Sequence, residues 1–174
     1  MLTIDVGNTQ IKWALWRDDR VEGSGSFSYS KQNPAEAFNA METLDPQGRI
    51  IVACVGGLEV ERALESWARR RWSVRPEFLR STARLAGVTS AYADPAQLGV
   101  DRWAAMLGAR SRYRGPLCII DAGTAVTVDL LDAGGQHQGG RILPGLRMMR
   151  DALVSGAAGI GEADGTAVAF ADNT

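Results

Sequence analysis

The first half of the chain alternates short apolar runs with longer stretches of helical periodicity. Continuous apolar runs of five or six residues are typical of strands buried inside a mixed or parallel sheet. Between 58 and 72, the residues Val60, Ala63, Leu64 and Trp67 share one helical face, with glutamate and arginine on the other. The pattern predicts strands at 2–6, 11–16, 25–29, 50–55 and 73–79, helices at 33–44, 58–72 and 100–112, and a long loop through 94–95. Asn33 and Pro34 supply a helix start, as a capping side chain followed by proline.

The second half begins a similar pattern again. It predicts strands at 117–120 and 125–131, a further strand ending at 139–143, a helix opened by Pro144 that runs to about 154, and a loop rich in glycine and alanine at 155–174. Residues 3–8 read Thr-Ile-Asp-Val-Gly-Asn, and residues 119–124 read Ile-Ile-Asp-Ala-Gly-Thr. Because each copy stands at the head of one half, we interpret the repeat as an internal duplication, with domains at 1–115 and 116–174.

Composition narrows the class of protein. Of the 174 residues, 45% are apolar and 22% are charged, and the net charge is −1, so no basic surface for nucleic acid is indicated. No signal-peptide pattern and no apolar run near the roughly 20 residues of a membrane span are present, which predicts a soluble cytoplasmic protein. Cys54 and Cys118 both lie in apolar runs and are expected to be small buried residues of a reducing compartment.

The two Asp-Gly turns have the chemistry of a polyphosphate site. Strand-end aspartates suit magnesium, which keeps its waters and takes one or two carboxylates, and glycine lets backbone N–H groups approach phosphate oxygens. Asp5-Val6-Gly7-Asn8-Thr9 and Asp121-Ala122-Gly123-Thr124-Ala125 both fit, although neither is a Walker A loop. Either turn alone could equally be an ordinary β-turn.

Four motifs in order resemble the type III pantothenate kinases, a family within the superfold of actin, hexokinase and the heat-shock chaperone ATPases. They are Asp5-x-Gly7-Asn8-Thr9-x-x-Lys12, Gly99-Val100-Asp101-Arg102, Asp121-Ala122-Gly123-Thr124-Ala125-x-Thr127-x-Asp129, and Gly139-Gly140-x-Ile142-x-Pro144-Gly145-Leu146. The resemblance implies an α/β chain with a ribonuclease H-like, duplicated actin-type ATPase fold, in which mixed sheets carry flanking helices. It also implies ATP-dependent phosphorylation of pantothenate to 4′-phosphopantothenate, the first step of coenzyme A synthesis.

The resemblance also implies roles for individual residues. Asp101 is the expected catalytic base for the pantothenate hydroxyl, and substrate contacts are expected from Tyr92, Gly99, Val100, Asp101, Arg102 and Thr174. ATP contacts are expected from Asp5, Val6, Gly7, Asn8, Thr9, Gln10, Ile11, Lys12 and Thr124. Asp121 is expected to hold a monovalent cation, potassium or ammonium, and Asp5 to hold magnesium, if necessary through water. The family is dimeric, so a homodimer is expected.

Other interpretations remain open at the level of sequence. Asp101 also suits a plain helix start, because the helix dipole favours a carboxylate there, and Arg102 suits a surface ion pair. His137, the single histidine, is expected in a hairpin with no triad or zinc role. Family members continue past the length of this chain, so we expect a C-terminally shortened relative of uncertain activity. A kinase for another small alcohol, or a non-catalytic nucleotide-binding or regulatory relative, would fit the same loops.

Overall fold

The computed structural model describes residues 1–46 and 48–157. The strands are β1 (Leu2–Val6), β2 (Gln10–Arg17), β3 (Arg20–Ser28), β4 (Ile50–Cys54), β5 (Glu77–Phe78), β6 (Arg84–Leu85), β7 (Val88–Thr89), β8 (Leu117–Ala122), β9 (Ala125–Leu131) and β10 (His137–Pro144). The α-helices are α1 (Pro34–Ala37), α2 (Leu58–Trp72), α3 (Val100–Arg112) and α4 (Leu146–Gly156), with 3-10 turns at Phe38–Met41 and Pro95–Gln97.

The first sheet is mixed and has the strand order β3-β2-β1-β4-β5. β1 pairs antiparallel with β2, which places Asp5 opposite Lys12, and parallel with β4, which places Asp5 opposite Ala53. The parallel pair requires a long crossover, which α1 and the following 3-10 turn provide.

The first core lies between one face of this sheet and α2. Alternate residues of β1 and β4 point into it, because successive side chains of a strand alternate between the two faces. Val60, Leu64 and Trp67 of α2 are buried in the same cluster, which confirms the predicted apolar face of that helix. The opposite face of β1 looks across a cavity of about 300 Å³, lined in part by Thr3, Asp5 and Ala104 of α3.

The second sheet is antiparallel, in the order β10-β9-β8, and α3 contacts both sheets. A smaller core forms under α3 from Val88, Leu98, Trp103, Met106 and Leu131. Helix α3 therefore joins the two halves of the molecule. The sheets lie on either side of the predicted boundary at 115/116, which itself stays a prediction.

Several predicted elements are wrong in detail. The helix predicted at 33–44 is a four-residue α-helix followed by a 3-10 turn, and the Asn33 side chain donates to the Glu36 carboxylate and does not cap the helix. The strand predicted at 73–79 shrinks to Glu77–Phe78, and the loop before Asp94 contains the β6–β7 hairpin.

Two corrections concern the second half. Pro144 is the last residue of β10, an edge strand that can accept proline, and α4 begins only at Leu146. Cys118 is exposed on β8, although Cys54 is buried as predicted. The greater part of the predicted 155–174 loop, 158–174, lies outside the described residues. Across the part of the chain that is described, no helix combines the length and apolarity needed to cross a bilayer.

Candidate active site

Two hairpin turns meet at the edge where the two sheets approach each other. In each turn a glycine N–H closes the loop, from Gly7 to the Gln10 carbonyl at 3.0 Å and from Gly123 to the Ala125 carbonyl at 2.9 Å. The hydroxyls of Thr9 and Thr124 lie 2.7 Å apart and link the turns directly. The proximity that the repeated Asp-Gly pattern predicts is therefore confirmed.

Residues from other parts of the chain brace these turns. The Tyr29 hydroxyl donates to the Gly7 carbonyl at 2.7 Å, and Lys31 Nζ donates to Asn8 Oδ1 at 2.9 Å. The N–H of Gly145 donates to the Thr124 carbonyl at 3.0 Å. Tyr29 and Lys31 follow β3 with no local signal of a role, so only the fold could reveal them.

Three carboxylates from different elements converge beside the turns. Asp5 and Asp121 are the penultimate residues of β1 and β8, and Asp101 is the second residue of α3. All three line a cavity of about 100 Å³ together with Lys12. The same four residues line an adjoining cavity of about 380 Å³ beneath α3. The arrangement offers one ammonium group and several carboxylate oxygens around a single opening.

The pKa of Asp5 reflects both its burial and the charges around it. Burial raises the pKa of Asp5 above its ordinary value, Lys12 opposes that effect, and the nearby carboxylates of Asp101 and Asp121 add to it. A cation placed among these groups would favour the ionised form of Asp5. The site therefore fits a positively charged ligand.

The donor set agrees with a hydrated magnesium ion better than with a closed protein cage. In residues 1–46 and 48–157, no cluster of three or more ligating side chains is close enough to hold a metal ion directly. Magnesium takes oxygen ligands and usually keeps several waters, with one or two carboxylates and substrate phosphates completing its shell. Asp5, which lines both cavities, is the carboxylate whose position suits that role.

Asp101 is held at the N-terminus of α3. Its Oδ1 accepts a hydrogen bond from the Arg102 N–H at 2.8 Å, which satisfies one of the free donors of the first turn. A Cβ on Gly99 would lie 2.6 Å from that oxygen, so glycine leaves the room that the carboxylate occupies. Asp101 is thus fixed in place and directed to the cavity that the two hairpins share.

Arg102 turns away from solvent and is already paired. It is 5% exposed, and its Nε and Nη2 donate to the two carboxylate oxygens of Asp129 at 2.9 and 2.6 Å. The bonds to Asp129 raise the pKa of Arg102, although burial opposes them. Nη1 donates to the Tyr92 hydroxyl at 3.2 Å, so two of the predicted substrate residues contact each other.

Sequence reasoning missed the residues behind Arg102. Asp129 ends the motif that begins at Asp121 but has no role predicted from the sequence, and His137 is predicted only to lie in a hairpin with no triad or zinc role. His137 is 1% exposed, and its Nε2 lies 2.9 Å from Asp129 Oδ1. The aspartate in the Thr127-x-Asp129 pattern was the available signal, because a lone acid on an apolar strand needs a buried partner.

The other predicted site residues lie in different places. Asn8, Gln10 and Thr124 line the small cavity with Gly7 and Lys12. Gly99 and Val100 line a separate opening of about 280 Å³.

Val6 and Ile11 require a correction. Both residues are 0% exposed inside the first core, so neither offers surface for a nucleotide contact in this structure. Thr174 lies outside the described residues.

Comparison with known proteins identifies the family. The family model described as type III pantothenate kinase matches residues 1–174. The chain belongs to the type III pantothenate kinase family. It is 39% identical over 168 residues to the type III pantothenate kinase of Nitrosococcus oceani, covering 93% of this chain and 63% of that protein. It is 41% identical over 170 residues to the one from Alkalilimnicola ehrlichii, covering 96% and 68%. The chain therefore spans about two thirds of the length of these type III pantothenate kinases.

Solved structures agree on the fold. A Campylobacter jejuni protein described as a Baf family transcriptional activator matches all of this chain and 69% of its own, with a TM-score of 0.58 and 18% identity. The ethanolamine utilization protein EutJ from Carboxydothermus hydrogenoformans matches 88% of this chain and 55% of its own, with a TM-score of 0.52 and 12% identity. The expected actin-type ATPase fold is confirmed, with one mixed sheet, one antiparallel three-stranded sheet and flanking helices in the described residues.

Proposed function

We propose that this protein transfers the γ-phosphoryl group of ATP to the hydroxyl of pantothenate, giving 4′-phosphopantothenate for coenzyme A synthesis. The observation that carries the proposal is the convergence of Asp5, Asp101 and Asp121 on one cavity beside the two hairpin turns. Family membership supplies the substrate, and the cavity supplies the groups that phosphoryl transfer needs.

The hairpin turns are suited to hold the phosphates. The N–H groups of Gly7 and Gly123 hold the two turns in their tight shape, and in the linked pair of Thr9 and Thr124 the accepting hydroxyl keeps an O–H that can donate to a phosphate. Lys12 and Lys31 add positive charge at the first turn, one opposite Asp5 and one on Asn8. Together these groups would orient a polyphosphate chain along the opening between the sheets.

Asp101 is suited to receive the proton of the attacking hydroxyl. A carboxylate is too weak a base to ionise an alcohol beforehand, but the transition state of phosphoryl transfer is loose. The hydroxyl oxygen forms its bond to phosphorus as the bond to the ADP oxygen breaks, and Asp101 takes the proton late in that step. Its position at the first turn of α3 holds the carboxylate ready for that transfer.

The family resemblance supplies the cation assignments, and the carboxylates of the site suit them. Asp5 and Asp121 would hold magnesium and a monovalent cation, potassium or ammonium, respectively. When bound, these ions neutralise the negative charge of the phosphates and of the three carboxylates. The raised pKa of Asp5 supports the assignment, since the pocket lacks a compensating charge beyond Lys12 in the described residues.

We further propose a cytoplasmic homodimer. Helix α4 exposes an apolar face that nothing in the described residues covers, with Leu146 82% and Leu153 55% exposed, alongside Met148 and Met149. Apolar patches of this kind commonly mark protein–protein contacts. Sedimentation of the wild type and of Leu153→Glu would test it, and an unchanged dimer in the variant would exclude α4 from the interface.

The function is tested by following ADP release with the purified protein, ATP, magnesium and potassium, with and without pantothenate. Mass spectrometry of the reaction should show a product heavier by one phosphoryl group. Omitting pantothenate is the control for ATP hydrolysis alone. ADP release that is independent of pantothenate, with no phosphorylated product, would contradict the proposal.

A further inference from the structure

Four residues from both halves of the molecule form a polar cluster under the start of α3. Arg102 belongs to α3, Asp129 to β9 and His137 to β10, and Asp129 and His137 are 2% and 1% exposed. Tyr92 completes the cluster, with its hydroxyl on Arg102 and its ring stacked on His137 at 6.1 Å between centroids. We call these residues the Arg102 cluster.

The bonding pattern fixes the charge and the protons of this cluster. Asp129 accepts two hydrogen bonds from the Arg102 guanidinium, so it is an ionised carboxylate. A carboxylate can only accept, so the third contact requires His137 Nε2 to donate. Nδ1 of His137 then has no hydrogen-bond partner in the described part of the chain. The one hydrogen bond of the imidazole in the described residues is therefore the one that Nε2–H donates to Asp129.

The Arg102 guanidinium keeps donors to spare. It carries five N–H bonds, and the contacts to Asp129 and Tyr92 use three of them. One N–H therefore remains on each of the two terminal nitrogens. A planar carboxylate can accept such a pair of bonds, provided the guanidinium is held at a fixed angle.

Gly140 shows how tightly the pair is packed. A Cβ at this position would lie 2.3 Å from Asp129 Oδ1 and 2.4 Å from Arg102 Nη2. These distances are far below any real carbon contact, so the main chain of β10 closes directly over the ion pair. The close packing against this ion pair therefore explains why position 140 is a glycine.

We infer that Asp129 and His137 are positioning residues that set the angle of the Arg102 guanidinium for the carboxylate of the substrate. Asp129 accepts two of the five N–H bonds, and His137 holds Asp129 through Oδ1, the oxygen that also accepts from Arg102 Nη2. Because the cluster spans α3 and the second sheet, it also fixes the start of the helix that carries Asp101. The inference rests on the proposed function, in which the substrate is pantothenate.

The test separates recognition of the carboxylate from general activity. Each variant is assayed with pantothenate and with an analogue in which a primary alcohol replaces the carboxylate. His137→Phe fills the space but cannot donate, whereas His137→Gln offers an amide N–H in place of Nε2–H. Glu77→Gln is the matched control, because Glu77 makes an equally bidentate contact with Arg49 on the surface.

Wild type should prefer pantothenate over the analogue in kcat/KM. His137→Phe should reduce that preference on the order of tenfold, the scale of one charge-assisted hydrogen bond, mainly through the KM for pantothenate. His137→Gln should recover most of the preference, and Glu77→Gln should keep it. Gly140→Ala should act like His137→Phe, since its Cβ displaces the same pair.

The outcomes distinguish the two proposals. If wild type phosphorylates pantothenate but folded His137→Phe and Gly140→Ala keep the full preference, the positioning inference is overturned and the function stands. If kcat and both substrates' KM values change in parallel, the cluster is only structural and the inference is also overturned. If wild type fails to phosphorylate pantothenate, the proposed function falls and the inference falls with it.

Discussion

Gly145→Ala should impair the nucleotide site, although Gly145 itself does not line that site. Gly145 follows β10 and donates its N–H to the Thr124 carbonyl. A Cβ on this residue would lie 2.3 Å from the Gly123 carbonyl oxygen and 2.5 Å from that of Thr124. Ordinary contact begins at 3.4 Å, so the second hairpin turn or the start of α4 has to move by about 1 Å.

The magnitude follows from that displacement. Forcing one extra carbon into a packed position typically costs about 1–3 kcal/mol, which is roughly 3–10 °C in melting temperature for a chain of this size. Misplacing reacting groups by about 1 Å can reduce turnover on the order of 10²-fold. The variant should therefore lose turnover with ATP as well as stability.

The assay combines steady-state turnover with ATP, calorimetric melting, ATP titration and amide hydrogen exchange at residues 123–125. Gly108→Ala is the matched control, because a Cβ on that exposed residue of α3 meets no atom within 4 Å. It should stabilise the helix by about 0.5–1 kcal/mol and leave ATP binding intact. If Gly145→Ala melts, exchanges and binds ATP like wild type, the packing of β10 on the hairpin has no role in the site.

Three further outcomes are expected. Asp101→Asn should keep the fold and pantothenate binding but lower turnover about 10²-fold or more, and near-normal turnover would remove Asp101 as the base. Because the folded state raises the pKa of Asp5, ionising it opposes folding, so Asp5→Asn should raise the melting temperature at pH 7. That gain should vanish as the pH falls below the ordinary value of 3.8, and a gain that persists there would point to another cause. Leu64→Ala should cost about 2–5 kcal/mol in urea unfolding, since Leu64 is fully buried in the first core, and a smaller loss would mean that the core closes over the gap.

Patterning predicted the elements whose apolar positions are regular. The bounds of α2, α3 and β9 match the prediction, because in each a single face must be buried over several turns or residue pairs. The prediction failed where stability depends on distant contacts. The strand at Glu77–Phe78 is short because β5 pairs only with Ile51 and Val52 at the sheet edge. The residues of β5 themselves carry no signal of that limit on its length.

The candidate site was predictable to the extent that its residues are adjacent in sequence. Asp5 and Asp121 each follow an apolar strand and precede a glycine, and that local chemistry identified both turns. Tyr29 and Lys31 contact the first turn from more than 20 positions away, and no pattern linked them to it.

The Arg102 cluster shows most clearly what the sequence alone cannot predict. On sequence grounds Arg102 suited a surface ion pair or a substrate contact, because arginine is seldom buried without a partner. The partner is Asp129, 27 positions later, and His137 and Gly140 follow it on the neighbouring strand. Burying the charge of Arg102 requires Asp129, since an unpaired carboxylate or guanidinium would cost more than the packing returns. Such an arrangement is a property of the assembled sheets, and the sequence shows only its separate parts.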